Sequence, residues 1–379
     1  MANYTGMWGR GAQMQQVAAG SWPQSFNYSL YGWGNNSSGA LGLGNTTLYS
    51  SPKQVGSLTT WSTISVTYTA SFAIKTDGTL WSWGSNVYGE LGQGNTTNYS
   101  SPKQIGVLTN WATCSGGTGF VAAIKTDGTL WTWGRNNSGQ LGLGNTTSYS
   151  SPKQVGSLTN WSKVNVNIGA SCVFALKTDG TLWSWGFNGS GNLGLGNVIN
   201  TSSPKQIGAL TSWLYISSHY DGGFAIKTDG TLWSWGANFV GQLGLNNRTY
   251  YSSPKQVGLL TTWSKIIGGN GNIVSVKTDG TLWSWGANNN GQLGLGNRTN
   301  YSSPKQVGAL TNWSSVGAGS VSSFSIKTDG TLWSWGQNNA GQLGLGNQTY
   351  YSSPKQVGAL TNWFSVVGAN NFTLANTRI

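Results

Sequence analysis

Hydrophobic and polar residues alternate along this chain in short stretches, broken by clusters of Gly, Asn, Ser and Thr rather than spaced at a helical period. In one unit, WSTISV (61–66) alternates and predicts a first strand, SFAIKT (71–76) a second and TLWSWG (79–84) a third. The Asp77-Gly78 pair between the last two predicts a two-residue hairpin, because such turns need positive φ. A Gly- and Asn-rich loop over 84–100 follows. SSPKQIG (100–106) then predicts a fourth strand, which Pro102 confines to an edge where a missing N–H costs nothing.

The whole unit repeats. Trp-Gly recurs at Trp33, Trp83, Trp133, Trp185, Trp235, Trp285 and Trp335, at spacings of 50 residues with a single 52. SPKQ occurs seven times and KTDGTL six times. A period near 50 with four strands per unit predicts one propeller blade per repeat. Six full units run from Trp61 to Asn362. The C-terminal WFSVVGANNFTLANTRI supplies two strands of a seventh, whose other two stand near the N-terminus as SLYGWG and SSPKQVG. The expected fold is therefore all-β: a seven-bladed β-propeller of four antiparallel strands per blade, its closing blade shared by the two chain ends. Such a joint removes the exposed edges of an open sheet. Residues 25–379 form this single propeller, and residues 1–24 are a non-repeat arm.

The pattern W-S-x-V, F-x-I-K-x-D-G-T-L-W-x-W-G-x-N-x-x-G-Q-L-G-x-G and SP-x-Q-V resembles the regulator of chromosome condensation repeat over about residues 25–379. The resemblance implies the same seven-bladed ring with a split closing blade. The family's nucleotide-exchange factors carry distinctive acidic or wedge-like insertions that this chain lacks. Its light-sensing branch follows a Trp with Arg-His-Thr, where LW here precedes Ser or Thr.

Composition adds little chemistry. Only 7% of residues are charged, against 22 Trp and 58 Gly. Twenty of the tryptophans sit at repeated positions, in LTxW, LWS and WG, and are expected in the core between blades. The formal charge of +12 comes mainly from one SPKQ lysine per blade, which reads as a solubilising rim rather than a nucleic-acid patch. Glu90 and Asp221 are the acids outside the KTDG turns. His219 is a lone histidine, expected at the surface, without a nucleophile or second acid at recognisable spacing. No zinc, calcium or phosphate-loop pattern occurs, so no cofactor and no enzymatic activity are expected. Cys114 and Cys172 lack redox or metal spacing and read as semi-buried free thiols. The Asn-x-Ser/Thr sequons match what this composition produces by chance. No apolar run is long enough to span a membrane, and the start of the chain does not read as a secretory signal.

The differences between blades are where specific function is expected. Loops between first and second strands vary most, and residues after WG vary next. In a four-stranded blade both lie on one face, while DG turns and VGxLTxW connections make the other face uniform. Tyr68, Tyr88, Phe120, Arg135, Phe187, His219, Tyr220, Asp221 and Phe239 are the candidate interaction face. In the N-terminal arm, Met7, Trp8, Met14 and Trp22 are candidate assembly residues for docking on a neighbouring subunit or partner protein. The expected role is non-enzymatic binding, foremost as an exposed component of a particle such as a virion or surface appendage, contacting protein or a host-surface glycan. A cytoplasmic regulatory partner and a lectin or secreted inhibitor are the alternatives.

Overall fold

The computed structural model describes residues 26–379 except residue 167; the arm residues Met7, Trp8, Met14 and Trp22 lie outside the described residues. Seven four-stranded antiparallel sheets form the ring. Blades 1 to 6 begin at Trp61, Trp111, Trp161, Trp213, Trp263 and Trp313. The closing blade joins Trp363–Gly368 and Phe372–Arg378 to Tyr28–Gly34 and Tyr49–Gln54. Its central seam pairs the chain ends over seven residues, from Tyr28 opposite Arg378 to Gly34 opposite Phe372. Among the described residues no helix is long and apolar enough to cross a membrane.

Each strand has the expected chemistry. In blade 1 the strands are Trp61–Val66, Ala70–Lys75, Leu80–Gly84 and Tyr99–Gln104, and the Pro102 strand pairs on one side only. First strands of successive blades touch one another around the axis, so they are innermost and the SPKQ strands outermost. The core is divided into seven clusters, one at each blade boundary. Between blades 1 and 2, for example, Phe72, Ile74, Leu80 and Leu91 meet Trp111, Cys114, Val121 and Trp133. Cys114 and Cys172 are fully buried rather than semi-buried, and desolvation pushes both thiols up to about 12, where thiolate chemistry is suppressed.

Two expectations need correction. The DG hairpin is not a two-residue primed turn. Gly78 N–H donates to Lys75 O at 2.9 Å and Lys75 N–H to Thr79 O at 3.0 Å. Only Gly78 takes positive φ, so the connection is the longer turn completed by a left-handed glycine. Asp77 holds it shut by accepting Thr79 N–H and Oγ1–H at 2.9 and 2.7 Å.

The tryptophans also divide into two classes. Those of LTxW and WG are buried, whereas Trp81 and its five LW equivalents are only half-buried. Each of these six carries the ammonium of its blade's KTDG lysine 3.6 to 4.0 Å above the ring centroid. The lysine stem thus covers indole surface that would otherwise meet water. Each WG indole, by contrast, donates its Nε1–H to a carbonyl of the preceding blade at 2.7 to 3.0 Å. Seven such bonds stitch the ring together.

Candidate interaction face

The loops after WG owe their shape to one buried asparagine per blade. In blade 1, Asn86 Oδ1 accepts Leu91 N–H, while Nδ2 donates to the carbonyls of Asn95 and Thr97. Its equivalents from Asn36 to Asn338 are all buried. A long loop is thereby held as a rigid shelf, and the residues beside the asparagine project from it. These are the positions that vary between blades.

The projecting residues are distributed unevenly. Tyr68, Tyr88, Phe187, Tyr220 and Phe239 are exposed, at 36 to 47%, and Val87 at 67%. All lie in blades 1 to 4. At corresponding positions the later blades expose Asn289, Asn339 and Ser37. Blades 1, 3 and 4 carry the aromatics of this face, while blade 2 exposes Asn137 at the position of Asn289 and Asn339.

Charged residues also stand beside these aromatics. Arg135 of blade 2 reaches back across the boundary and places its guanidinium 5.3 Å from the Tyr88 ring centroid. Its Nε is buried and has no acceptor. Beside it, Glu90 Oε2 accepts Tyr88 N–H at 2.8 Å. Desolvation raises the Glu90 carboxyl to about 7 against the smaller opposing effect of its backbone hydrogen bonds. Asp221 accepts Asn192 Nδ2–H at 3.2 Å from the neighbouring blade, and burial raises its pKa. Among the described residues no group of three His, Cys, Asp or Glu comes together in a metal-binding cluster.

Two candidates do not belong to the face. Phe120 is fully buried, because it opens the second strand of blade 2 and points into the blade 2–3 core. His219 is likewise buried. The first strand of blade 4, Trp213–His219, runs one residue further than the six-residue first strands of most blades, which draws His219 into the sheet opposite Gly222. The ring fits there because Gly222 has no side chain: a Cβ would lie 2.5 Å from His219 Nε2. It packs on Phe224 at 5.3 Å, neither ring nitrogen finds a partner of good geometry, and burial depresses its pKa to about 4. Sequence reading missed Glu90 as a site residue; its signal was a carboxylate where other blades carry Gln, Asn or Ala.

The family model described as Regulator of chromosome condensation (RCC1) repeat matches residues 29–74, 77–124, 127–176, 179–226, 229–276, 279–326 and 329–375. A second model of the same description matches residues 61–90. No curated protein sequence matches the chain. Among solved structures it is similar to human WBSCR16, at 18% identity over 92% of this chain and 98% of that one, TM-score 0.82. It is also similar to Prp20p from Saccharomyces cerevisiae, at 21% identity over 96% and 94%, TM-score 0.83. Yeast Prp20 crystallised with Kap60 matches at 20% identity over 93% and 89%, TM-score 0.82. At these identities the likeness is one of fold.

Proposed function

Because the chain belongs to the Regulator of chromosome condensation (RCC1) repeat family, we propose that it is a non-enzymatic propeller binding a protein partner through blades 1 to 4 of its variable face. The observation that carries this is that the exposed aromatics of this face, Tyr68, Tyr88, Phe187, Tyr220 and Phe239, come from blades 1, 3 and 4. Aromatic side chains presented with few free torsions make strong interface anchors, and the Arg135 guanidinium over Tyr88 adds a positive charge for a partner's carboxylate or carbonyl. Binding rather than turnover fits the placement of titratable groups. Glu90 belongs to blade 1 whereas His219 and Asp221 belong to blade 4, so they do not converge on one reacting atom. The solved Prp20p structure is described together with its binding to Gsp1p and histones, which supports protein recognition by this ring shape.

The setting we propose is the exposed surface of a larger particle, such as a virion or surface appendage. Near-identical blades and a closed ring whose outermost strands each carry a Pro and a Lys suit a module that must stay soluble outside its assembly. Residues 1–24 are proposed as the assembly arm, and removing residues 1–22 is expected to abolish incorporation into the particle while leaving the ring folded.

The test is cross-linking and mass spectrometry of the source's particle and soluble fractions, followed by affinity measurement with the partner found. Tyr88→Ala and Phe239→Ala are each expected to weaken binding about 30-fold, the effect of losing an anchor of about 2 kcal/mol. Asn289→Ala and Asn339→Ala, in blades 5 and 6, are expected to leave affinity within about threefold. The reverse ranking overturns the proposal, and recovery only from the soluble fraction overturns the particle setting.

A further inference from the structure

The seven innermost strands, which wall the axis, contain no Asp or Glu and only two charged residues, Lys163 and Lys265. Both occupy the same register, two residues after the buried tryptophan that starts the strand. That end of the strand lies beside the hairpin side of its blade, since Trp161 pairs with Lys177 and Trp263 with Lys277 just before the DG turns. The level is therefore the uniform-face mouth of the axial channel, away from the exposed aromatics.

Each ammonium spans a blade boundary to the free inner edge of the next first strand. Lys163 Nζ donates to Leu214 O at 2.6 Å and Lys265 Nζ to Ser314 O at 2.7 Å. An ammonium has three N–H donors, so two remain on each. Neither lysine has an acid near it: desolvation lowers both pKa values, with no carboxylate opposing the effect. The KTDG lysines differ, because Lys75, Lys125 and Lys277 each feel their own hairpin aspartate. At the same register Thr63, Thr113 and Ser315 add hydroxyls that take no side-chain partner among the described residues. Tyr215 stands between the two lysines in ring order. Every side chain named at this level donates hydrogen bonds, and none is an anion. Lys163 is exposed and Lys265 partly exposed, so both are open to an approaching anion, and charge-assisted hydrogen bonds to such a group are stronger than neutral ones.

We infer that the uniform-face mouth of the axial channel is an oxyanion site of phosphate type, with Lys163 and Lys265 as its ligands. The group is either free phosphate or a phosphate borne by a modified side chain of a bound chain. The rim lysines of SPKQ offer no such site. They stand one per blade on the outermost strands, and six of the seven lie over a tyrosine ring of their own strand.

The test is calorimetric titration with inorganic phosphate, and separately with a short phosphoserine peptide, in chloride buffer of constant ionic strength. Wild type is expected to bind one equivalent of at least one of these probes. Binding only the peptide assigns the group to a bound chain. Lys163→Met/Lys265→Met is expected to weaken binding at least tenfold, and Lys163→Arg/Lys265→Arg and the rim variant Lys305→Met to stay within about threefold of wild type. A second measurement needs only wild type: the same probe is expected to protect Lys163 and Lys265, not the rim lysines, from reductive methylation read by mass spectrometry. No binding of either probe, unchanged affinity in the double Met variant, or equal protection of rim and axial lysines overturns the inference. Because this face is opposite the exposed aromatics, its failure leaves the proposed protein interface untouched, and the converse holds.

Discussion

Three glycines of blade 2 and its link to blade 3 allow the stitching tryptophans to be weighed directly. Gly142, Gly144 and Gly156 all adopt left-handed backbone, with φ of +71°, +77° and +61°. Alanine at each pays the same kind of penalty, about 1–2 kcal/mol for left-handed geometry, offset by about 0.4–1 kcal/mol from a stiffer unfolded chain. The surroundings differ. A Cβ at Gly156 meets nothing within 4 Å, and at Gly144 only Ser203 Oγ at 3.8 Å. At Gly142 it lies 2.7 Å from Trp185 Nε1 and about as close to two further indole atoms, at 3.0 and 3.1 Å. Trp185 is fully buried and donates to Gln140 O at 3.0 Å, so the ring has no free space to yield into. Displacing it forfeits a hydrogen bond of about 1 kcal/mol, strands a buried carbonyl at about 1–3 kcal/mol and overpacks the boundary. Gly142→Ala is therefore expected to cost about 4 kcal/mol, and Gly144→Ala and Gly156→Ala about 1 kcal/mol each. Equilibrium urea unfolding with a common m-value reads these differences. A double-mutant cycle with Trp185→Phe should recover part of the Gly142→Ala loss, since the smaller ring frees the space. If Gly142→Ala falls within about 1 kcal/mol of Gly144→Ala, the indole stitch is not what holds the blades.

Acid stability carries two opposing signatures. His219, with its folded pKa depressed to about 4, makes stability rise with pH between about 4 and 6.5. Glu90, raised to about 7, makes stability fall with pH between about 4.5 and 7. Each is worth about 3 kcal/mol across its window, so they largely cancel in wild type. His219→Leu is expected to leave stability falling from pH 4.5 to 7 and Glu90→Gln to leave it rising from pH 4 to 6.5, as denaturation midpoints across that range will show; unchanged slopes refute both assignments. At ring closure, Asn376 stands where the other blades carry Ile, Leu or Val. It accepts Ser365 Oγ–H at 2.6 Å and donates to Trp61 O at 3.0 Å across the joint. Asn376→Ala is expected to cost about 2–3 kcal/mol and to speed proteolysis of the C-terminal strand, whereas a loss under about 0.5 kcal/mol shows that the joint does not depend on it.

Much of this architecture could be read from the chain because the repeat is strict. Alternation gave the strands, Pro102 the edge, and the incomplete units at both ends the shared blade. The two faces followed from strand order alone, and with them the loops that vary. The candidate site was legible in part. Tyr68, Tyr88, Phe187, Tyr220 and Phe239 project as their small-residue loops implied. Phe120 and His219 do not, although each sits in an equally Gly-rich loop. What decided them was the packing opposite: Gly222 leaves room for an imidazole, and the blade 2–3 core takes the phenyl ring.

The sequence by itself determined the strands, their number per unit and the closure of the ring, because these depend on local alternation, turn residues and repetition. Only the tertiary structure decided which side chains cross between blades. Asn376 reaches Trp61 over 315 residues of chain, Trp33 reaches Gln342 over 309, and Lys163 meets Leu214 over 51. Such pairings depend on how one blade's twist presents its atoms to the next, and no local window of residues contains both partners. The repeated tryptophans therefore announced the ring, while the indole bonds, the lysine-capped rings and the two axial ammoniums became visible only once the blades were placed side by side.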